Sequence, residues 1–209
     1  MFAGWDFDML LIGLAALIAI SFHEMSHGLM AYKLGDPTAK YMGRLTLNPI
    51  KHIDIFGLLM ILFVGFGWAK PVPVNPRYFK NAKTGMAITA LAGPVSNLTI
   101  AFFALLIGGA VISIMPAANH MVLNFLFLLA NINIGLGIFN LIPIPPLDGS
   151  KIMYMFLPDE FYNNVLKYER FGMFILMAVL WMGYLTPYLS VARNFTFDLF
   201  LSIVASIFF

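Results

Sequence analysis

Residues 7–34 read FDMLLIGLAALIAISFHEMSHGLMAYKL, an apolar run that is interrupted by Ser21 and by the polar cluster His23–His27. At 1.5 Å per residue, a helix of this length is long enough to cross the ~30 Å hydrocarbon core of a bilayer. An ionisable side chain at the bilayer centre costs about 2.5–3.5 kcal/mol even on the lenient insertion scale. The cluster therefore needs a compensating partner, and a single metal ion would satisfy several of its groups at once.

The composition of the whole chain favours a membrane protein. Hydrophobic residues make up 61% of the 209 residues and charged residues only 11%. A soluble domain usually carries about 25% charged residues, so we expect the bilayer to be the solvent of this chain. The net charge of +2 argues against a nucleic-acid-binding protein. Because cysteine is absent, histidine and carboxylate side chains must hold any transition metal.

Hydropathy predicts an all-α membrane protein, a polytopic transmembrane helix bundle with about five to six hydrophobic segments and a small hairpin-like loop. The segments are 7–34, 53–68, 84–115, 121–142, 171–189 and 195–209. The second is too short for a comfortable span, which favours a re-entrant element. The last is either a short span or an interfacial helix. Three prolines within 69–83 exclude a helix there and predict an extended or hairpin-like loop, whereas 149–169 is expected to be a polar loop.

The basic residues predict the orientation in the membrane. Loops 33–52 and 70–83 carry four Lys or Arg residues each, whereas the turn 116–120 carries none. Such loops are usually cytoplasmic, so we expect a multi-pass protein of the cell membrane whose polar cluster faces the cytoplasmic side. The acids Asp6 and Asp8 stand where a signal peptide would be basic, and we therefore expect the first helix to be retained.

The segment FHEMSHG at 22–28 contains the pattern HExxH. His23 and His27 are four residues apart, so both imidazoles lie on one face of a helix and can reach one zinc ion at ~2.0–2.1 Å. Glu24 follows the first ligand and is placed to act as the general base that takes a proton from water. The pattern is short, and the alternative is a polar cluster that faces another helix.

A catalytic zinc site needs a third protein ligand and an open position. Asp148 follows the segment 121–142 on the side where the first helix ends, after a proline-broken stretch. Spacing alone leaves Asp148 equally suited to cap a helix or a turn. His52 and Asp54 compete with it as ligands, whereas His120 lies on the opposite side.

Four motifs resemble those of the site-2 protease family, the intramembrane zinc metalloproteases of peptidase family M50. They are FHEMSHG at 22–28, GRLTLNPIKHID at 43–54, AGPVSN at 92–97 and NLIPIPPLDG at 140–149. The resemblance covers roughly residues 10–165. It indicates a single integral-membrane metalloprotease domain over residues 1–209, with a core at 7–165. Larger members contain an inserted PDZ domain, for which this chain has no room.

The resemblance also implies the roles of individual residues. His23, His27 and Asp148 would hold one Zn²⁺, and Glu24 would be catalytic. Asn140, and less directly Asn97, would hold the substrate backbone or an oxyanion, although interhelical hydrogen bonds are an alternative role for both asparagines. The expected partners are the lipid bilayer and a membrane-protein substrate with a transmembrane helix, cut in or near that helix by regulated intramembrane proteolysis.

Two rival functions and one substrate hypothesis remain from the sequence. A metal transporter would need ionisable residues at several depths, and a structural zinc scaffold would need a closed shell of four ligands. For the protease, an unwound substrate segment could pair with an exposed strand edge, for which we expect Val72–Phe79.

Overall fold

The computed structural model describes residues 7–64, 67–115, 120–158 and 171–209. The helices in these ranges are α1 (Phe7–Lys33), α2 (Thr38–Tyr41), α3 (Ile55–Val64), α4 (Ala82–Ile114), α5 (His120–Asn140), α6 (Asp148–Tyr154), α7 (Gly172–Trp181) and α8 (Thr186–Phe208). Short 3₁₀ turns occur at Pro49–Lys51 and Pro76–Tyr78. The described residues form no strand, only an isolated antiparallel bridge between Ile53 and Ala69. The predicted all-α bundle is confirmed.

Among the described residues, four helices, α1, α4, α5 and α8, are long and apolar enough to cross a bilayer. The chain is therefore a multi-pass integral membrane protein. The consecutive spans α1, α4, α5 and α8 run in alternating directions across the membrane. Helices α1 and α5 therefore end on one membrane face, and α4 and α8 begin on that same face. We call it the basic face, because the basic loops 33–52 and 70–83 lie on it. Helix α3 has 10 residues and is too short to span, as the sequence predicts for this segment.

The predicted hydrophobic segment 171–189 is divided between two helices. Helix α7 ends at Trp181, Gly183 adopts a left-handed φ of 74°, and α8 begins at Thr186 with a proline in its first turn. Glycine at positive φ ends one helix and proline near the start favours the next, whatever the hydropathy of the flanking residues. The last span is therefore Thr186–Phe208, which joins the predicted stretch 195–209 to the residues before it.

Two predicted loops differ from the structure. The stretch 67–75, which we call the strap, is irregular and extended, but it ends in the 3₁₀ turn Pro76–Tyr78 and forms no hairpin with any described residue. The predicted polar loop 149–169 begins as helix α6. Its part from residue 159 onward lies outside the described residues.

Small side chains bring the spanning helices together. The buried core consists of residues from α1, α4, α5 and α8: Ala15, Ala101, Ala104, Leu105, Leu129, Ala130, Ile134 and Val204. Inside a bilayer, helices associate by packing rather than by the hydrophobic effect, and small residues permit close approach. A Cβ added at Gly109 of α4 would lie 2.5 Å from Val204 of α8. This packing fixes α1 against α4 and α5, the helices that surround the polar cluster.

Candidate metal centre

Three polar side chains meet where α1, α4 and α6 come together. The Nε2 atoms of His23 and His27 are 3.0 Å apart, and each lies 3.1 Å from Oδ2 of Asp148. All three side chains are buried. The structure thus brings together the three residues that the sequence predicts as metal ligands. Within the described part of the chain, no other group of three His, Cys, Asp or Glu side chains converges in this way.

The convergent atoms fit a zinc ion. Oδ2 of Asp148 is buried and has no hydrogen-bond donor among the described residues, which costs such an oxygen about 1–3 kcal/mol or more. Two imidazole nitrogens and one carboxylate oxygen are a ligand set of catalytic zinc sites, and they leave a fourth position open. A divalent cation between these atoms would satisfy the carboxylate oxygen and both nitrogens.

Hydrogen bonds behind the rings orient both imidazoles. Nδ1 of His27 lies 2.8 Å from the carbonyl oxygen of Thr89, which can only accept, so the ring carries its proton on Nδ1. Nδ1 of His23 donates to Oδ1 of Asn97 at 2.6 Å. Each Nε2 therefore keeps its lone pair for a metal, an arrangement that raises the basicity of a ligating histidine.

Asn97 links three membrane-spanning helices behind His23. Its Nδ2 donates to the carbonyl of Ala19 on α1 and to Oδ1 of Asn133 on α5, and Asn133 in turn donates to the carbonyl of Leu129. Asn97 is fully buried and uses both amide atoms in these bonds. It therefore positions His23, and its side chain is not available to the substrate or oxyanion for which the sequence had suggested it.

Sequence reasoning did not identify two groups that support the histidines. They are the side chain of Asn133 and the backbone carbonyl of Thr89. A signal for Asn133 was present, because asparagine in an apolar helix usually has a polar partner across an interface. Nothing in the sequence marks a particular backbone carbonyl as the partner of a histidine.

Gly93 brings the backbone of α4 against both rings. A Cβ at this position would lie 2.5 Å from Cε1 and Nε2 of His27 and 2.6 Å from Cε1 of His23. The next residue, Pro94, has no N–H and so removes one hydrogen bond from the helix. Glycine is thus required here by close approach.

The chain turns sharply to place Asp148. The residue before it, Leu147, occupies the N-cap of α6, so Asp148 is the first helical residue and does not cap the helix. A Cβ at Gly149 would collide with the backbone of Leu141 and Ile142. Oδ1 of Asp148 lies 3.9 Å from Nζ of Lys151, while Oδ2 faces the histidines. The two oxygens of this carboxylate thus face different groups, Oδ1 the ammonium of Lys151 and Oδ2 the two imidazoles.

Glu24 is held by the strap. Its Oε2 accepts a hydrogen bond from the backbone N–H of Val72 at 2.8 Å, and both residues are buried. The N–H of Asn75 donates to Oδ2 of Asp36 at 2.6 Å, and Oδ1 of this fully buried carboxylate accepts from the N–H of Thr38, the first residue of α2. The strap is therefore tied to the α1–α2 region at Val72 and at its last residue, Asn75.

A cavity of about 550 Å³ opens in front of these groups. It is bordered by the three candidate ligands, by Glu24, by residues of the strap, and by Asn140 and Lys151. Asn140 donates Nδ2 to the carbonyl of Leu136 at 3.0 Å and lies at the end of α5. Asn140, unlike Asn97, thus lies at the edge of this cavity.

The competing ligand candidates have other partners. Nε2 of His52 bonds to the carbonyl oxygen of Thr46 at 2.8 Å, and Oδ1 of Asp54 accepts from the N–H of Gly57 at the start of α3. His120 is the first residue of α5, at the opposite end of that helix from Asn140. None of the three belongs to the convergent group.

Comparison with known proteins agrees with this geometry. A model of peptidase family M50 matches residues 109–183. The chain is 41% identical over 195 residues to "Putative zinc metalloprotease YwhC" of Bacillus subtilis, covering 90% of this chain and 89% of that protein. It is 27% identical over 179 residues to "Putative zinc metalloprotease Rip2" of Mycolicibacterium smegmatis, covering 83% of this chain and 66% of that protein. No solved structure matches. The chain therefore belongs to peptidase family M50 and is a membrane-embedded metallopeptidase whose cofactor is Zn²⁺.

Proposed function

We propose that this enzyme is an intramembrane protease, which hydrolyses peptide bonds in or near the transmembrane segments of other membrane proteins. The observation that carries the proposal is the position of the metal group and Glu24 beside one cavity within a bundle of membrane-spanning helices. We assign the activity to a single domain over residues 1–209 with its core at 7–165. The basic loops support a site that faces the cytoplasmic side of the cell membrane.

We assign the metal-binding role to His23, His27 and Asp148, with Asn97 and the carbonyl of Thr89 holding the rings. Zinc bound there would supply Lewis acidity for the scissile carbonyl and lower the pKa of water to about 7. The protein residues have the remaining tasks, which are to bind the substrate, to orient it and to move protons.

Glu24 is the proposed general base. The N–H of Val72 holds one of its oxygens, while Oε1 accepts no hydrogen bond from a described residue. The carboxylate would take a proton from the attacking water and pass it to the nitrogen of the leaving amine. The hydrogen bond from the strap fixes the direction in which the carboxylate points.

The strap is the proposed binding edge for the substrate. Helical carbonyls are already hydrogen-bonded, so a substrate helix must unwind before its peptide bond can be reached. In the strap, the carbonyl of Val72 and the N–H of Val74 form no hydrogen bond with any described residue. An extended substrate could pair with them as an added strand. We propose that Asn140, across the cavity, donates to the substrate backbone or the oxyanion.

Cells that contain either the wild-type protein or Glu24→Gln provide the test. We expect single-pass membrane proteins or their fragments to accumulate in the membrane proteome with Glu24→Gln, because the proton acceptor is lost. Purified Glu24→Gln should retain its zinc, since the metal group is intact. Asp54→Asn makes the same chemical change outside the cavity and should match the wild type. Identical membrane proteomes for wild type and Glu24→Gln would contradict the proposal.

The two rival functions receive less support. A transporter needs ionisable groups along a path, whereas the buried acids and histidines that border the cavity form one cluster. A structural zinc site needs a fourth ligand, and the convergent group found among the described residues contains three.

A further inference from the structure

A second, smaller groove lies between α5 and α8. It has a volume of about 270 Å³ and is lined by Gly135, Ile138 and Phe139 of α5 and by Thr186, Leu189, Ser190 and Arg193 of α8. Phe139 is one residue from the end of α5, and Arg193 lies seven residues after the start of α8, or about 10 Å along its axis. The groove is therefore near the basic face, at the depth where lipid headgroups meet the hydrocarbon core.

Arg193 is exposed and lies at the outer end of the stripe of α8 that faces the bundle. Phe197, Phe200 and Val204 follow it at helical spacing, and all three pack in or against the apolar core. Arg193 thus continues an inward-facing stripe at the point where α8 separates from α5.

The guanidinium of Arg193 has one weak contact, a 3.4 Å hydrogen bond to Oδ1 of the neighbouring Asn194. Among the described residues it forms no ion pair. An arginine within a membrane-spanning helix normally pairs with an anion or faces water, and the exposed guanidinium of Arg193 is accessible to an anion from outside the chain.

The walls of the groove indicate what kind of anion fits. Ile138, Phe139 and Leu189 form an apolar surface, whereas Arg193 and the hydroxyl of Thr186 are polar. A guanidinium binds phosphate oxygens through two parallel hydrogen bonds. A molecule with a phosphate next to a hydrocarbon chain would match both parts of this surface.

The surrounding charge favours an anionic phospholipid. Four basic residues in loop 33–52 and four in loop 70–83 lie on the same membrane face as the groove. Basic segments next to a membrane attract anionic headgroups, by about 1 kcal/mol per Lys or Arg near the surface. Basic pockets between membrane helices are known to hold such headgroups.

We propose that the groove binds the phosphate headgroup of an anionic phospholipid through Arg193, with an acyl chain lying along Ile138 and Phe139. Phe139 also borders the large cavity in front of the metal group. A lipid in the groove would therefore contact the opposite side of a residue that lines the active-site cavity.

Native mass spectrometry of the purified full-length protein tests the proposal, with phosphatidylglycerol and phosphatidylcholine of identical acyl chains as probes. We expect one equivalent of phosphatidylglycerol to bind at least about tenfold more tightly than phosphatidylcholine. Arg193→Gln should abolish this preference. Arg77→Gln removes the same charge from an exposed position on the same face but outside the groove, and should keep the preference. Inorganic phosphate at millimolar concentration should not displace the lipid.

Gly135→Leu provides an independent variant that leaves every charge in place. A Cβ at Gly135 meets no atom within 4 Å, so a leucine there should fill the groove without disturbing α5. It should weaken phosphatidylglycerol binding by about tenfold. Equal binding of the two lipids, or wild-type binding by both Arg193→Gln and Gly135→Leu, would overturn the proposal. A change from monomer to dimer mass that depends on Arg193, without lipid selectivity, would show instead that a protein partner occupies the groove.

Discussion

Helices α4 and α8 are both apolar enough to cross a membrane, but they relate to the rest of the chain in opposite ways. In the most apolar window of α4, 33% of residues are buried inside the molecule, compared with 6% for α8. The buried positions of α4 include Thr89, Gly93 and Asn97, which contact the histidines. Helix α8 exposes polar residues such as Asn194 and Asp198.

The difference shows which part of the bundle must be rigid. Lipid chains are as apolar as a leucine side chain, so the hydrophobic effect does not favour packing of another helix against the outer side of α8. The histidines, in contrast, need fixed partners, because a ligand ring that rotates no longer directs its nitrogen at the metal. The affinity for zinc should therefore depend mainly on the buried polar contacts of α1, α4, α5 and α6. Changes in α8 should have little effect on this affinity.

The largest effect is expected for Asp148→Ala. This change removes one of three ligands, so the affinity for zinc should fall by more than about 100-fold. Mutation of a residue that only hydrogen-bonds to a ligand typically lowers metal affinity by about 10- to 100-fold. Metal analysis of the purified protein, with Asp54→Ala as the control, measures the effect. Unchanged zinc content in Asp148→Ala would show that another oxygen ligand completes the site.

Asn97→Ala should have the next largest effect. His23 would lose the acceptor of its Nδ1 proton and Asn133 would lose a donor, so zinc affinity should fall by about 10- to 100-fold. Asn131→Ala is the matched control, because its amide bonds only to the carbonyl of Phe127 on its own helix. Competition with a chelator of known affinity would quantify both variants. Equal affinities would mean that Asn97 does not orient His23.

The parts of this structure that could be predicted are those with a local signal. The HExxH spacing depends only on helical geometry, and the long apolar segments 84–115 and 121–142 lie within two residues of the ends of α4 and α5. Asp148 was also predicted, although spacing alone left it equally suited to cap a helix or a turn until the motif around it was compared with a family.

The parts that could not be predicted depend on conformation or on the register between helices. Apolar residues occur on both sides of Gly183, so hydropathy does not show that its positive φ separates α7 from α8. The partners of the histidines are set by how α4 rotates against α1, and no periodic pattern in α4 distinguishes Asn97 from a solvent-exposed asparagine. The position of the strap depends on single hydrogen bonds to Glu24 and Asp36.

Gly93→Ala tests whether close packing alone supports the site. The added methyl group would lie 2.5 Å from the His27 ring, so α1 and α4 must separate, which typically costs about 1–3 kcal/mol. We expect a lower thermal unfolding temperature in detergent and about tenfold weaker zinc binding. Gly108→Ala on the same helix meets no atom within 4 Å and should be neutral or slightly stabilising. Similar behaviour of the two variants would contradict the role assigned to Gly93.

The smallest effect is expected for Phe195→Ala on α8. Its side chain is 68% exposed and would face lipid, so its removal should change the free energy of unfolding by no more than about 0.5 kcal/mol. Zinc affinity should stay within about twofold of the wild type, although phenylalanine is far larger than the groups changed in α4. Thermal unfolding and chelator competition would measure both quantities. A large loss of zinc from Phe195→Ala would mean that α8 supports the metal group through contacts on its exposed side, and the contrast with α4 would fail.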